Sequence, residues 1–156
     1  MIKKNDRYQG DPRIIVTEDG TTIEYQGGQP VMDGGIENAI VLSLFVTQGW
    51  PCNILFGKPE EKLGSDFMLE MKKSITLETL NSAADAAKKS LQWMVDVGLA
   101  SEIQAAASNP SYNRVDVRIF IKYPGSDIDE FLASRNADNW LFQKDDPAYK
   151  RITNGV

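Results

Sequence analysis

The sequence predicts an α+β domain in which an N-terminal β-hairpin and two main helices pack on a small antiparallel sheet. Three observations carry that reading. Asp19-Gly20 sits between two β-rich runs, two apolar segments carry helix start signals, and Arg114 to Tyr123 alternates apolar with polar residues. At 156 residues the chain has one domain's length, enough to bury one sizeable core. The domain is expected over residues 1–135, with a C-terminal tail over 136–156.

Taken in order, Arg13 to Thr17 and Thr21 to Tyr25 flank Asp19-Gly20, a dipeptide suited to two-residue hairpin turns with positive φ. Gly27-Gly28 and Pro30 end the second strand. Asp33-Gly34-Gly35 then launches a helix. Asp33 is placed to accept a hydrogen bond from an orphan backbone donor of the first turn, and Glu37 complements the positive helix end. The run from Ile36 to Val46 has little circumference suited to water, so it is expected to be buried. Its β-branched residues also suit a buried strand; length and the cap favour helix. Proline at 51 ends it before Gly49-Trp50.

Residues 50–62 read as a loop around the solvated cluster Glu60-Glu61-Lys62, and Phe67 to Met71 suits a helical turn or a short strand equally. From Thr76 to Val97, Leu77, Leu80, Ala84, Ala87, Leu91 and Met94 form one helical stripe. Thr76 is a capping residue, Gly98 suits the left-handed position after the end, and Asp85 and Lys89 are spaced as an i,i+4 ion pair. Trp93 lies off the stripe near Ala86 and Val97, so a second surface must cover it or leave it exposed. Ser101 to Ala107 and Arg114 to Tyr123 are strands; in the second, Val115, Val117, Ile119 and Ile121 face one way, with Phe120 anomalous on the polar side. Ser126 to Ser134 is expected as a short helix carrying Ile128, Phe131 and Leu132. In the tail, Trp140, Leu141, Phe142 and Tyr149 form an aromatic cluster that docks back on the domain or onto another subunit.

Composition narrows function. A net charge of −5 with only short lysine pairs argues against nucleic-acid and anionic-membrane partners. Met1 to Asp6 lacks the apolar stretch of a secretory signal, and no apolar run approaches a bilayer span. The absence of histidine removes the commonest general base and metal ligand, and Cys52 alone supports neither a disulfide nor a cysteine metal cluster. With no histidine to activate it, Cys52 is expected to be buried and inert. Gly57-Lys58-Pro59 lacks the spacing of a phosphate loop, and Asp127-Ile128-Asp129-Glu130 lacks the later ligands of a calcium loop. A pair of carboxylates suffices for glycoside hydrolysis, with Glu18, Asp19, Glu24 and Asp33 near one another in sequence, but two flank a turn and Asp33 caps a helix. No cofactor, metal or catalytic residue is assigned. Trp50, Trp93, Trp140 and Phe142 are the candidate partner-binding residues, each tryptophan being favoured as core over interface.

The order of short motifs resembles the phage Mu-type baseplate wedge family of contractile tails, relatives of the small wedge and sheath-initiator proteins of large myophages. The resemblance is carried by Asp33-Gly34-Gly35-Ile36-Glu37-Asn38-Ala39-Ile40 with Ser43-Leu44-Phe45, then Gly49-Trp50 with Asn53. Lys62-Leu63-Gly64-Ser65, Thr76-Leu77 and Leu91 to Gly98 continue it, over roughly residues 7–124. Pro51-Cys52 departs from the aromatics that the family often places there. The Glu-Pro-Arg motif of the wider superfamily has no match, so no contact residue is carried over. The resemblance implies a non-catalytic structural subunit of a virion baseplate, assembled in the host cytoplasm. It would contact other wedge, tail tube or sheath proteins and help to nucleate the sheath. A small regulatory adaptor of related fold and a carboxylate-pair glycosidase are the alternatives.

Overall fold

The computed structural model describes residues 10–33, 36–59, 62–125 and 127–144. The expectations for Met1 to Asp6, Gly34-Gly35, Glu60-Glu61, Ser126 and the tail beyond 144 with Tyr149 lie outside the described residues. The described residues begin with β1 (Asp11–Pro12), β2 (Ile14–Thr17) and β3 (Gly20–Ile23). Thr17 pairs with Gly20, so the hairpin turn is Glu18-Asp19, one residue earlier than the sequence suggests. The positive φ falls on Gly20 alone, at 119°. Gly27 and Gly28 do more than end a strand. With φ of 60° and 76° they form the two-residue turn of a second hairpin, β4 (Tyr25–Gln26) with β5 (Gln29–Pro30).

After β6 (Met32–Asp33), which pairs with β1, comes α1 (Ile36–Phe45). The Asp33 carboxylate accepts the Asn38 backbone N–H at 3.0 Å, the predicted start signal. Asn38, Ile40, Val41 and Leu44 are buried, but Ile36 and Leu42 are exposed. This corrects the fully buried helix: α1 packs on α2, α3 and β6, and Ile36 and Leu42 remain exposed. A 3-10 turn (Pro51–Leu55) and two helices follow, α2 (Phe67–Lys72) and α3 (Leu77–Asp96). Thr76 Oγ1 accepts the Thr79 N–H at 3.1 Å while Thr79 Oγ1 accepts the Thr76 N–H at 2.9 Å, a reciprocal cap. Ala84, Ala87, Leu91 and Met94 of the predicted stripe are buried, whereas Leu77 in the first turn is exposed. Asp85 and Lys89 form no ion pair among the described residues; one turn on, Gln92 donates to Asp96.

Four longer strands follow: β7 (Glu102–Ser108), β8 (Arg114–Lys122), β9 (Ile128–Asn136) and β10 (Asn139–Lys144). The expected helix over 126–134 is therefore wrong. β9 pairs along its whole length with β8, and an isolated helix so short is marginal while a nine-residue strand edge stands open beside it. The tail expected from residue 136 is also corrected as far as 144, since β10 lies inside the sheet between β9 and β2. The strand order is β3-β2-β10-β9-β8-β7, with every neighbour antiparallel.

The helices pack on the face carrying Val115, Val117, Ile119 and Ile121, and Phe131, Ala133 and Phe142 extend the same core. On the opposite face Arg114 grips Asp116 through two hydrogen bonds of 2.8 and 3.0 Å, and Ser134 donates to Asp116 at 2.6 Å. Arg118 pairs with Glu130 there at 2.7 Å, and Phe120 is half-buried among these neighbours. Two buried polar side chains tie the layers together. Arg135 on β9 donates to Met71 O at 2.6 Å, meeting the carbonyl end of α2. Asn38 on α1 accepts the Ile14 N–H and donates to Pro12 O, both at 2.9 Å, fastening the N-terminal strands to the helix.

Candidate interaction surface

A helix that buries one stripe presents a second stripe to its neighbour. On α3 that second stripe is Ala86, Ser90, Trp93 and Val97, at steps of four, three and four. It faces Ala39, Leu42 and Ser43 of α1 across an open cleft of about 600 Å³. The 62–66 segment adds Leu63, Gly64 and Ser65, and the charged groups on the lining are Lys62, Lys89 and Asp66.

Hydrogen bonds inside the walls account for the hydroxyls. Ser43 donates to Ala39 O at 2.7 Å and accepts the Trp93 indole N–H at 2.9 Å, a bond that spans the two helices. Ser90 donates to Ala86 O at 2.6 Å and lies 2.5 Å from Ser65, which accepts the Phe67 N–H. Since the one hydrogen of Ser90 is committed to Ala86, Ser65 is the donor in that pair. What the cleft offers a visitor is mainly small residues and apolar edges: Leu42 and Trp93 are 38% and 36% exposed and Val97 63%.

The 62–66 segment is held against the end of α1 by close backbone approach. Ser65 N–H donates to Val46 O at 2.9 Å, and Gly64 has φ 151° with space for a Cβ only 2.9 Å from the Gln48 Cα. Asn53 clamps Leu63 at two points, donating to its carbonyl at 2.6 Å and accepting its N–H at 2.9 Å. The motifs at Asn53 and at Lys62 to Ser65, separated in sequence, thus meet in one structure beside the cleft.

The four candidate residues part company. Trp93 lines the cleft. Trp50 is half-buried, and its carbonyl accepts the Asn53 N–H at the start of the 3-10 turn. Trp140 is half-buried, set edge-on to Phe45 at 6.0 Å with the Lys72 ammonium 5.9 Å from its ring centre. Phe142 is buried, stacked on Phe131 at 5.6 Å. Trp140 and Phe142 therefore share the core side of the sheet, away from the cleft. Leu42, Ser43 and Val97 were not among the candidate partner-binding residues; the signal was the second α3 stripe, already marked by Trp93 beside Ala86 and Val97, which needed α1 to become a cleft.

Cys52 is exposed, contrary to expectation, because the 3-10 turn that carries it buries none of its residues. The acids considered for hydrolysis do not converge: Asp33 caps α1, Glu24 pairs with Arg13 at 3.3 Å, and Glu18 and Asp19 form an exposed turn. Arg13 Nε also lies 3.3 Å from Glu37, an ion-pair distance without hydrogen-bond geometry. Near Glu37, burial and then the adjacent Asp129 carboxylate push the Tyr123 hydroxyl up to about 12. Among the described residues no cluster of three or more histidine, cysteine or acidic side chains is placed to hold a metal. None of their helices is long and apolar enough to cross a membrane.

The family described as phage protein GP46 matches residues 36–127, more than half of the chain, from α1 to the turn before β9. The chain is also similar to the Mu-like prophage FluMu protein gp46 of Haemophilus influenzae. The two are 28% identical over 109 residues, covering 64% of this chain and 77% of the relative. No solved structure matches.

Proposed function

The chain belongs to the phage GP46 protein family, and from that premise we propose that it is a structural subunit of a contractile-tail baseplate. In this reading it seats between wedge components and helps to start the sheath through protein contacts, without turnover. The observation that carries it is the character of the cleft between α1 and α3. That cleft is lined mainly by small, apolar and internally bonded side chains, with Lys62, Lys89 and Asp66 on its lining, a surface suited to another protein, while the candidate carboxylates lie apart. The two-layer build around one continuous core supports the same reading, because an assembly subunit must present a defined shape to its neighbours.

The test is assembly of tail particles from the phage or prophage with this gene intact or deleted. The subunit is expected in purified baseplates at a fixed stoichiometry, and its deletion is expected to leave particles without an extended sheath. Complete sheathed tails lacking the chain would refute the proposal.

A further inference from the structure

The cleft limits what can fill it, because both of its long walls are helices whose backbone groups are already bonded within them. An extended peptide laid there would bring N–H and C=O groups into apolar contact with no strand edge to pair with, and each buried group left unpaired would weaken binding. A helix brings its own bonds. The dimensions agree, since Ala86 to Val97 runs for about 16 Å at 1.5 Å per residue, about three turns. Ala39, Ser43, Ala86 and Ser90 keep the floor small enough for a third helix to approach closely, and Leu42, Trp93 and Val97 flank it. Charge sets the flank. On a chain of net charge −5, the cleft carries among the described residues Lys62 and Lys89 against Asp66.

We propose that this cleft binds an amphipathic helix of a partner protein, apolar face inward, with acidic residues along the edge that meets Lys62 and Lys89. The proposal rests on the assembly reading above, and it names the chemistry of the partner that reading requires.

The test titrates the isotope-labelled full chain with three synthetic peptides of equal length. One is helical with leucines at i, i+3, i+4, i+7 and i+11 and glutamates on its flanks; the second replaces glutamate by lysine; the third rearranges the first into strict alternation. The first is expected to shift the Ala39, Ser43, Ala86 and Ser90 amides and the Trp93 indole resonance, and to bind at least tenfold more tightly than either other peptide. Val97→Glu, at an exposed position, should weaken that binding at least tenfold with the melting temperature unchanged. Lys89→Glu should turn the preference towards the lysine-flanked peptide.

Absence of these shifts at millimolar peptide, or equal binding of the alternating peptide, would overturn the proposal. So would broadening of the same resonances when the chain is concentrated alone, since a second copy would then occupy the cleft. Failure here leaves incorporation into tails untouched, and failure to enter tails leaves the titration standing, so the two readings fall separately.

Discussion

Asn38 replaces a missing strand pair, and Asn38→Ala measures what that replacement is worth. β2 meets β10 through the single pair of Phe142 with Val16, so little ladder holds the N-terminal strands to the sheet. The Asn38 amide supplies two further bonds, accepting the Ile14 N–H and donating to Pro12 O at 2.9 Å each. Asn38 is only 7% exposed, and an alanine there leaves a backbone donor and a backbone acceptor without partners. At about 1–3 kcal/mol for each such group, partly relieved where water reaches in, the expected loss is about 3 kcal/mol. For a chain of this length that corresponds to a fall in melting temperature of about 6–12 °C. Asn38→Asp should be at least as damaging, because it keeps the acceptor for Ile14 but sets a second carboxylate beside Asp33 and against Pro12 O. Urea denaturation gives the global change, and hydrogen exchange gives its location. The Ile14 amide should exchange faster by more than the global loss explains, while the β8 and β9 amides follow the global change alone. A loss below about 0.5 kcal/mol, or an unchanged Ile14 amide, would refute the argument.

Three further outcomes follow from the same structure. Trp140→Ala should cost the isolated chain about 3 kcal/mol in urea denaturation, because the ring packs on Phe45 beneath Lys72; unchanged stability would return Trp140 to an interface. Gly64→Ala should cost about 2 kcal/mol or more, since its Cβ would stand 2.9 Å from the Gln48 backbone at a strained φ; a melting temperature within 2 °C of the parent would contradict that. The alkaline limb should report Tyr123. Its hydroxyl is raised from 10.0 to about 12, so the unfolded chain loses that proton first and stability falls as pH rises from about 10 to 12, by an amount trimmed by solvent screening. Tyr123→Phe should flatten that limb, seen as a smaller drop in melting temperature across the same window; an unaltered slope would assign it to other groups.

Local chemistry was legible in the sequence. Asp33 before an apolar run, Thr76 before a stripe at steps of three and four, and strict alternation from Val115 to Ile121 each act through neighbours within a few residues, so each signal survives without the fold. The motifs that carried the family resemblance were legible for the same reason, and residues 36–127 match the phage GP46 family. The tryptophan at 93 announced a second surface by falling off its stripe, although the wall opposite did not show.

Partners distant in sequence decided everything else. Phe131 and Leu132 read as part of a short helix until β8 and β10 flank them, and Trp140 with Phe142 read as a tail cluster docking on the domain or on another subunit until β2, 126 residues away at the Phe142–Val16 pair, joins β10 in the sheet. The cleft likewise exists only because Ser65 and Gly64 press on residues 46–48 while Trp93 bonds to Ser43. A strand's identity depends on an edge to pair with, and a cleft on two walls held at a distance. Residues within a turn of one another cannot encode either, because the free energy that selects them comes from contacts that form only when the chain has folded back on itself.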